Sequence, residues 1–600
     1  MLALTLALAA PPKMARAGGG APCFEPFVFG HSDVNIVVVP YTLRGPDKRY
    51  IYGQNTFGRG GDSLAGRLSQ VMQLDALFSL RYPSGMAAVY LQGEAEECAA
   101  DKVLARILDA GKGNTIAPGK GLVLLWGRFF ELGDEIYVQS YVRFFRRGRQ
   151  ERLALDLGGG GDPGLKTFLP GPTIAFAPRL VTSADLAAIG RAFAAATVIW
   201  SESSGGEKIG ELGIGPGETF AYIVDAVDDA SGRMHIRPQR GSRGVEGWVK
   251  ARTDPAQWPL RRVLPELNLV KALAGFLAFQ IVEDSRPPPN WAGAWPDRLA
   301  LARRRAKEAF DDYRAALLPG FDLDALAPAD LRPRSTREEA RAIAGEERMA
   351  LAASFALSAA MDFKAATGGW LAPEAAETAL DDAILGAERA RALAPADATL
   401  HGLAALVEAE RCCGDGAVAP SVKVVLRRLR AGLSTDPQDA LALANLVAIY
   451  QLLLAKNAAV EAGLGTGEVE DRLTRLRQIQ ETRRAALPPL RSRYVVFFDS
   501  GQTRLSSAGR REVAAALRAA AQSATSRILL HGYSDPAGPA SLNLRVSRKR
   551  VKAVARALMD GGIDPTRIVE LAHGEDDPAT ATASPPPAEK LRRVEIVFER

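Results

Sequence analysis

The sequence predicts a multi-domain α+β protein: an N-terminal α/β domain, a small β-barrel, an α-helical repeat-like region and a C-terminal βαβαββ sandwich. Three observations support this. The chain has 600 residues, enough for several cores. Hydrophobic residues make up 47% and charged residues 24%, a globular balance that excludes a wholly disordered, collagen-like or polytopic membrane chain. Strand and helix signals also change character along the chain, from mixed, to short glycine-separated strands, to Ala/Leu-rich helices, and back to alternating strands and helices. The charge is only +6, from 75 Lys and Arg against 69 Asp and Glu, and without a basic stripe it does not point to nucleic acid.

Residues 1–17 read as a signal peptide: Leu2 to Ala10 is apolar, and Ala15-Arg16-Ala17 is a small-x-small cleavage pattern. No basic residue precedes the apolar run, so an ordinary N-terminus and a start further upstream both stay open. Cys23 has two readings, acylation or a disulfide to Cys98; Pro22 fits an acylation box poorly and favours the disulfide. No later stretch reaches about 18 uncharged apolar residues. Leu267 to Val282 reads as a buried amphipathic helix.

Over 24–150, Val34 to Pro40 is β-rich and Ser63 can cap a helix. Met86 to Leu91 reads as a strand, Cys98 to Ala110 as a second helix, and Leu122 to Phe145 as two long strands joined at Gly133-Asp134. This unit resembles the N-terminal domain of TolB-like proteins. Gly158 to Gly161 with Pro163, Pro170 and Pro172 reads as a linker. Over 180–262, short strands at Val198 to Trp200, Tyr222 to Val227, Met234 to Arg237 and Gly247 to Val249 suggest a barrel, and Gly-Trp-Val resembles bacterial Src-homology-three-like modules.

Residues 265–490 are helical. Leu393 to Ala398 and Thr435 to Ala440 repeat one turn pattern, with Pro395 and Pro437 spaced by 42 residues. The pattern resembles tetratricopeptide hairpins with an extended loop at Arg411 to Pro420, against the alternative of helical packing alone.

Over 491–600 the order is strand, helix, strand, helix, strand, strand. The strands are Tyr494 to Phe498, Arg527 to Leu530, Arg567 to Leu571 and Arg592 to Phe598; the helices are Ser507 to Ala520 and the one ending at Leu558. Asn543, Ser547 and Arg550 fall at i, i+4 and i+7, on one helix face that can point toward the turn bearing Asp535. An acid and a planar cationic fork held together suit a ligand with an ammonium and a carboxylate on one carbon. Ser534 and Asn543 can add neutral hydrogen bonds, and Gly538 allows close backbone approach.

These residues resemble the OmpA-like peptidoglycan-binding domain. The motif elements are Phe497-Phe498-Asp499, Gly532 to Gly538, Asn543 to Arg550, Gly574-Glu575 with Pro578, and Arg592 to Ile596. The resemblance implies that Asp535 and Arg550 hold the diaminopimelate of the peptide stem, with Ser534, Asn543 and Gly538 supporting. Tyr533 stands where the family often has His, Gly501 where some relatives have Asn, and Ala579 to Ala588 replaces a more ordered loop.

Catalysis is not expected. The five histidines, His31, His235, His401, His531 and His573, form no HExxH or His-Cys cluster. No GxSxG elbow occurs, and Gly111-Lys112-Gly113 and Gly119-Lys120-Gly121 lack phosphate-loop spacing. No CxxC pair offers a metal site, and no cofactor is expected. The sequence therefore predicts a periplasmic protein, associated with the cell wall or outer membrane, that binds peptidoglycan and tethers or scaffolds envelope partners. The alternative is an adaptor or assembly subunit of a trans-envelope complex acting mainly through its helical repeats.

Overall fold

The structure, a computed structural model, describes residues 32–599 apart from 45–49, 53–71, 77–85, 91–99, 108–115, 158–163, 170–172, 190–197, 213–220, 239–243, 251–258, 287–293, 318–344, 415–417, 487–492, 523–526, 564–567, 576–586 and scattered single or paired positions. The signal peptide, Cys23, Cys98, the linker glycines and most of the helix expected from Ser63 lie outside the described residues. The chain forms two compact units, one from residues 1–141 and 178–274, the other from 142–177 and 275–600.

The first unit is built on one large sheet. Its strands are β1 (Val34–Val38), β2 (Thr42–Arg44), β3 (Tyr50–Tyr52), β4 (Met86–Tyr90), β5 (Gly121–Leu132) and β6 (Glu135–Arg146), the last of which runs past the unit's boundary. β1 lies between β4 and β5, parallel to both, and is buried along its whole length. That position accounts for its four aliphatic residues out of five, with Asn35 the buried exception: a strand covered on both faces and both edges has no solvent-facing side.

Further along the chain come β7 (Arg152–Leu155), β8 (Leu165–Phe168), β9 (Thr173–Ala175), β10 (Arg179–Val181), β11 (Val198–Trp200), β12 (Lys208–Glu211), β13 (Ala221–Asp228), β14 (Arg233–Pro238) and β15 (Gly247–Lys250). The strands expected to make a barrel extend the first sheet instead. β13 pairs antiparallel with β4 along Ala221↔Val89 to Val224↔Met86, and the order continues β13-β14-β15-β11-β12. No pairing among the described residues closes these strands on themselves. The physical reason is the free edge of β4, which bonds β13 rather than remaining open.

The boundary expected near 262–265 is also displaced. Helices α1 (Pro259–Val263) and α2 (Glu266–Asp284) supply side chains to the first unit's core. Arg261 Nε donates to Asp75 Oδ1 at 3.0 Å, and Ser140 Oγ donates to Glu266 Oε1 at 2.6 Å. α2 is buried, as expected, but nearly all round, so it lacks the polar face of the amphipathic helix expected.

In the second unit, β7 and β8 form a hairpin where the sequence suggested a linker. Asn445 holds it as a strand neighbour would: Lys166 N donates to its Oδ1 at 3.0 Å, and its Nδ2 donates to Lys166 O at 2.7 Å. The helices are α3 (Trp295–Leu317), α4 (Gly345–Thr367), α5 (Pro373–Leu393), α6 (Ala398–Cys413), α7 (Val422–Thr435), α8 (Ala440–Ala455) and α9 (Thr466–Ala486). α4 contains a window, Glu347–Thr367, long and apolar enough to cross a membrane, but 83% of it is buried inside the protein. The two repeated turns join α5 to α6 and α7 to α8. Asp397 accepts from Thr399 N at 2.9 Å, and Asp439 accepts from Leu441 N at 2.8 Å and Ala442 N at 3.1 Å. Each aspartate thus satisfies amides left open at a helix start. Cys412 and Cys413 are joined to each other at the buried end of α6.

The last 110 residues have their own core. Strands β16 (Arg493–Phe497), β17 (Arg527–Tyr533), β18 (Ile568–Gly574) and β19 (Arg593–Glu599) form a sheet of order β16-β19-β17-β18. Helices α10 (Ser507–Gln522) and α11 (Ala540–Asp560) cover one face, and the single turn α12 (Ala588–Leu591) precedes β19. Val496, Ile528, Leu530, Val594 and Ile596 alternate inward to meet Val513, Ala516, Val551, Val554 and Leu558. β17 and β18 run parallel, whereas β19 is antiparallel to β16 and β17.

Gly532 sets the approach of α11 to β17. A Cβ there would lie 2.3 Å from Val551 Cγ2 and 2.9 Å from Ser547 O. Gly532→Ala is expected to push the helix off the strand and destabilise this domain by about 1–3 kcal/mol or more. Faster hydrogen exchange of β17 and α11 amides in the full chain would show it; unchanged exchange would contradict the close packing.

Candidate functional site

The site lies where the ends of β16 and β17 meet the start of α11. After β16 the chain turns at Asp499 to Gln502, with Gln502 N donating to Asp499 O at 3.0 Å and Gly501 at φ +67. After β17 it turns at Ser534-Asp535, with Ser534 N donating to Gly574 O at 2.6 Å. The α11 face predicted from spacing is buried as a set: Asn543, Ser547 and Arg550 are all at most 3% exposed.

Arg550 is 1% exposed and clamps three separate pieces of backbone. Its Nε donates to Gln502 O at 3.0 Å, Nη1 to Tyr533 O at 3.3 Å and Nη2 to Asp499 O at 3.2 Å. The guanidinium carbon also lies 5.2 Å from the centre of the Phe498 ring. Burial pushes its pKa down to about 10, Asp535 pulls it back up and Arg592 lowers it further. It therefore stays a cation at neutral pH. Three of its five N–H donors serve these carbonyls, one from each nitrogen.

Asp535 does not pair directly with Arg550, as a simple two-residue grip would require. Its Oδ2 accepts from Arg592 Nη1 at 2.8 Å, with side chains 15% and 16% exposed, and Arg592 Nε donates to Phe498 O at 3.2 Å. The physical reason is competition: three of the Arg550 donors are taken by main-chain carbonyls, and the adjacent cation takes the acid. The cluster has two guanidiniums and one carboxylate, a net surplus of one positive charge.

Ser534 is buried and its Oγ has no hydrogen-bond partner among the described residues. Asn543 is less available than the sequence suggested, because its Nδ2 donates to Gly538 O at 3.3 Å and Glu575 Oε2 at 2.5 Å. Its role is to hold the loop. Gly538 sits at φ +106, a conformation that side-chain-bearing residues avoid, so it fixes the turn between β17 and α11.

Sequence reasoning missed Arg592. It belongs to the Arg592 to Ile596 motif but sits just before β19, between the helical turn and the strand, and the motif alone does not say which of the two arginines reaches Asp535. No signal in side-chain pattern could have disclosed the three carbonyls around Arg550. Among the described residues no group of three His, Cys, Asp or Glu side chains could hold a metal ion.

The chain is 31% identical over 103 residues to the "Probable lipoprotein YiaD" of Escherichia coli K12, covering 17% of this chain and 47% of the relative. It is 35% identical over 71 residues to the "Peptidoglycan-binding protein ArfA" of Mycobacterium tuberculosis H37Rv, covering 12% and 22%. The chain thus spans about half the length of the first and about a fifth of the second. Among solved structures, the peptidoglycan-associated lipoprotein of Burkholderia pseudomallei aligns at 23% identity over 18% of this chain and 90% of that one, with a TM-score of 0.16. Residues 497–592 match the OmpA family, and the chain carries an OmpA family domain at its C-terminal end.

Proposed function

We propose that this is a periplasmic envelope protein that binds peptidoglycan without a covalent bond, through Asp535, Arg550 and Arg592, and so tethers or scaffolds envelope partners. The observation that carries the reading is the cluster of the buried Arg550 guanidinium with the part-buried Asp535–Arg592 pair at the turn after β17. The distal centre of diaminopimelate bears an ammonium and a carboxylate on one carbon. Asp535 would accept the ammonium, and the two remaining Arg550 donors would take the carboxylate, with Arg592 balancing the charge. Support also comes from the OmpA family match and from relatives whose names describe a lipoprotein and a peptidoglycan-binding protein.

In this reading the protein catalyses no reaction. The paired helices α5–α6 and α7–α8 are tetratricopeptide-like hairpins that offer protein partners a docking surface. The test is co-sedimentation of the full chain with purified sacculi at neutral pH, with free diaminopimelate as competitor. Retention that the free amino acid reverses is the expected result. A chain that stays in the supernatant, or binds without competition, overturns the proposal.

A further inference from the structure

The open face of the C-terminal sheet carries a histidine pair that the binding chemistry does not use. His531 Nδ1 and His573 Nε2 are 3.0 Å apart, the ring centres 5.2 Å apart and the planes 6° from parallel. With the nitrogens that close and the centres that far apart, the rings lie end to end, each aiming one nitrogen at the other. One facing nitrogen must carry a hydrogen and the other must be bare. The pair therefore ties β17 to β18 with a single shared proton.

The link sits directly behind the site. Gly574, next to His573, accepts from Ser534 N at 2.6 Å and donates to Ser547 Oγ at 3.0 Å. The β17–β18 register shifts here, between Gly532 and Tyr533, and Gly574 takes φ +64. Tyr533 stacks on His573 with centres 4.9 Å apart, and its carbonyl is one of the three held by Arg550. A displacement of His573 is thus passed through one residue to Ser534 and through one ring to the Arg550 clamp.

We propose that the His531–His573 pair is a positioning device for the Ser534-Asp535 turn, holding it while one proton is shared and releasing it when both rings are charged. This rests on the wall-binding reading above. A first added proton goes to an outward nitrogen and leaves a charge-assisted bond. A second must enter the bare facing nitrogen, setting N–H against N–H and cation against cation.

The surroundings place that event in acid. β19 brings Glu595 opposite His531, but Arg593 Nε at 2.7 Å and Arg493 Nη1 at 3.3 Å already hold that carboxylate. Arg593 also lies over the Tyr533 ring at 4.4 Å, and Glu570 is on β18 at the exposed edge. Burial, and then His573, hold His531 below the usual histidine range, with Glu595 pulling the other way. A base held low contributes fully above the ordinary value of about 6.5 and loses that contribution as pH falls through its lower folded value.

The test uses the full chain, with sacculus retention measured at pH 7.5 and pH 5.0 and histidine ring protonation followed by NMR on histidine-labelled protein. Expected is a several-fold fall in retention at pH 5.0, with the two rings titrating in coupled steps. His573→Gln, whose amide can still donate to His531, should bind as the parent does at pH 7.5 and lose much less at pH 5.0. An equal fall in parent and variant, or two rings titrating independently, overturns the proposal. Absence of retention at pH 7.5 sinks the wall-binding reading instead, and ring titration, which needs no ligand, then decides the device alone.

Discussion

Asp535→Asn is expected to lower sacculus retention of the full chain at least tenfold while the C-terminal sheet stays folded. The substitution keeps shape and leaves an oxygen for the Arg592 hydrogen bond seen at 2.8 Å. What it removes is the anion paired with Arg592, so a ligand ammonium would meet the two guanidiniums without the carboxylate that offsets them. A hydrogen bond to a charged group is worth about 1.5–3 kcal/mol, roughly ten- to a hundredfold in affinity. Retention equal to the parent would remove Asp535 from the site. A thermal unfolding profile within a few degrees of the parent would show that folding is not the cause.

Arg550→Ala has the larger effect, on stability as well as binding. It would remove the three hydrogen bonds that tie the carbonyls of Asp499, Gln502 and Tyr533 to α11 and leave a hole beside Phe498. Hydrogen bonds from a charged donor contribute about 1.5–3 kcal/mol each, so losing three part-buried or buried ones costs a few kcal/mol after partial relaxation. Binding lost in this variant would therefore report unfolding and recognition together. Arg550→Lys separates them: the charge stays, but a compact ammonium cannot span three carbonyls and still present a planar fork. The expected result is a folded domain with faster exchange at Asp499 to Gln502 and retention reduced about tenfold. Hydrogen exchange by mass spectrometry alongside co-sedimentation measures both, and full retention by the Lys variant would show that the fork is not used.

The C-terminal domain was the most legible part of the chain because its signals are local. Strand alternation places Val496, Ile528, Leu530, Val594 and Ile596 inward, and the i, i+4, i+7 spacing of Asn543, Ser547 and Arg550 put them on one buried face. The partners of those residues were not legible. Arg550 is satisfied by main-chain carbonyls, which every residue has, and Asp535 by an arginine whose neighbour is also an arginine. In the first unit the strands from Val198 to Lys250 looked self-contained because short strands at short intervals resemble a barrel, whereas the decisive contact joins Tyr222 to Ala88 across the sequence. The β7–β8 hairpin was hidden by the glycines and prolines around it, and what fixes it is one asparagine on α8.

The pairing of β4 with β13 has a consequence for how the protein is made. Tyr90 and Ala221 are separated by about 130 residues, which a ribosome adds in roughly 7–26 s at 5–20 residues per second. For that interval the Met-Ala-Ala-Val-Tyr segment has emerged with no mate for its outer edge, a configuration prone to wrong strand pairing. Biogenesis of this half of the molecule therefore calls for a holding factor or an unfolded transit state until the distant segment arrives, and a nascent chain arrested short of Ala221 should be the one that clumps.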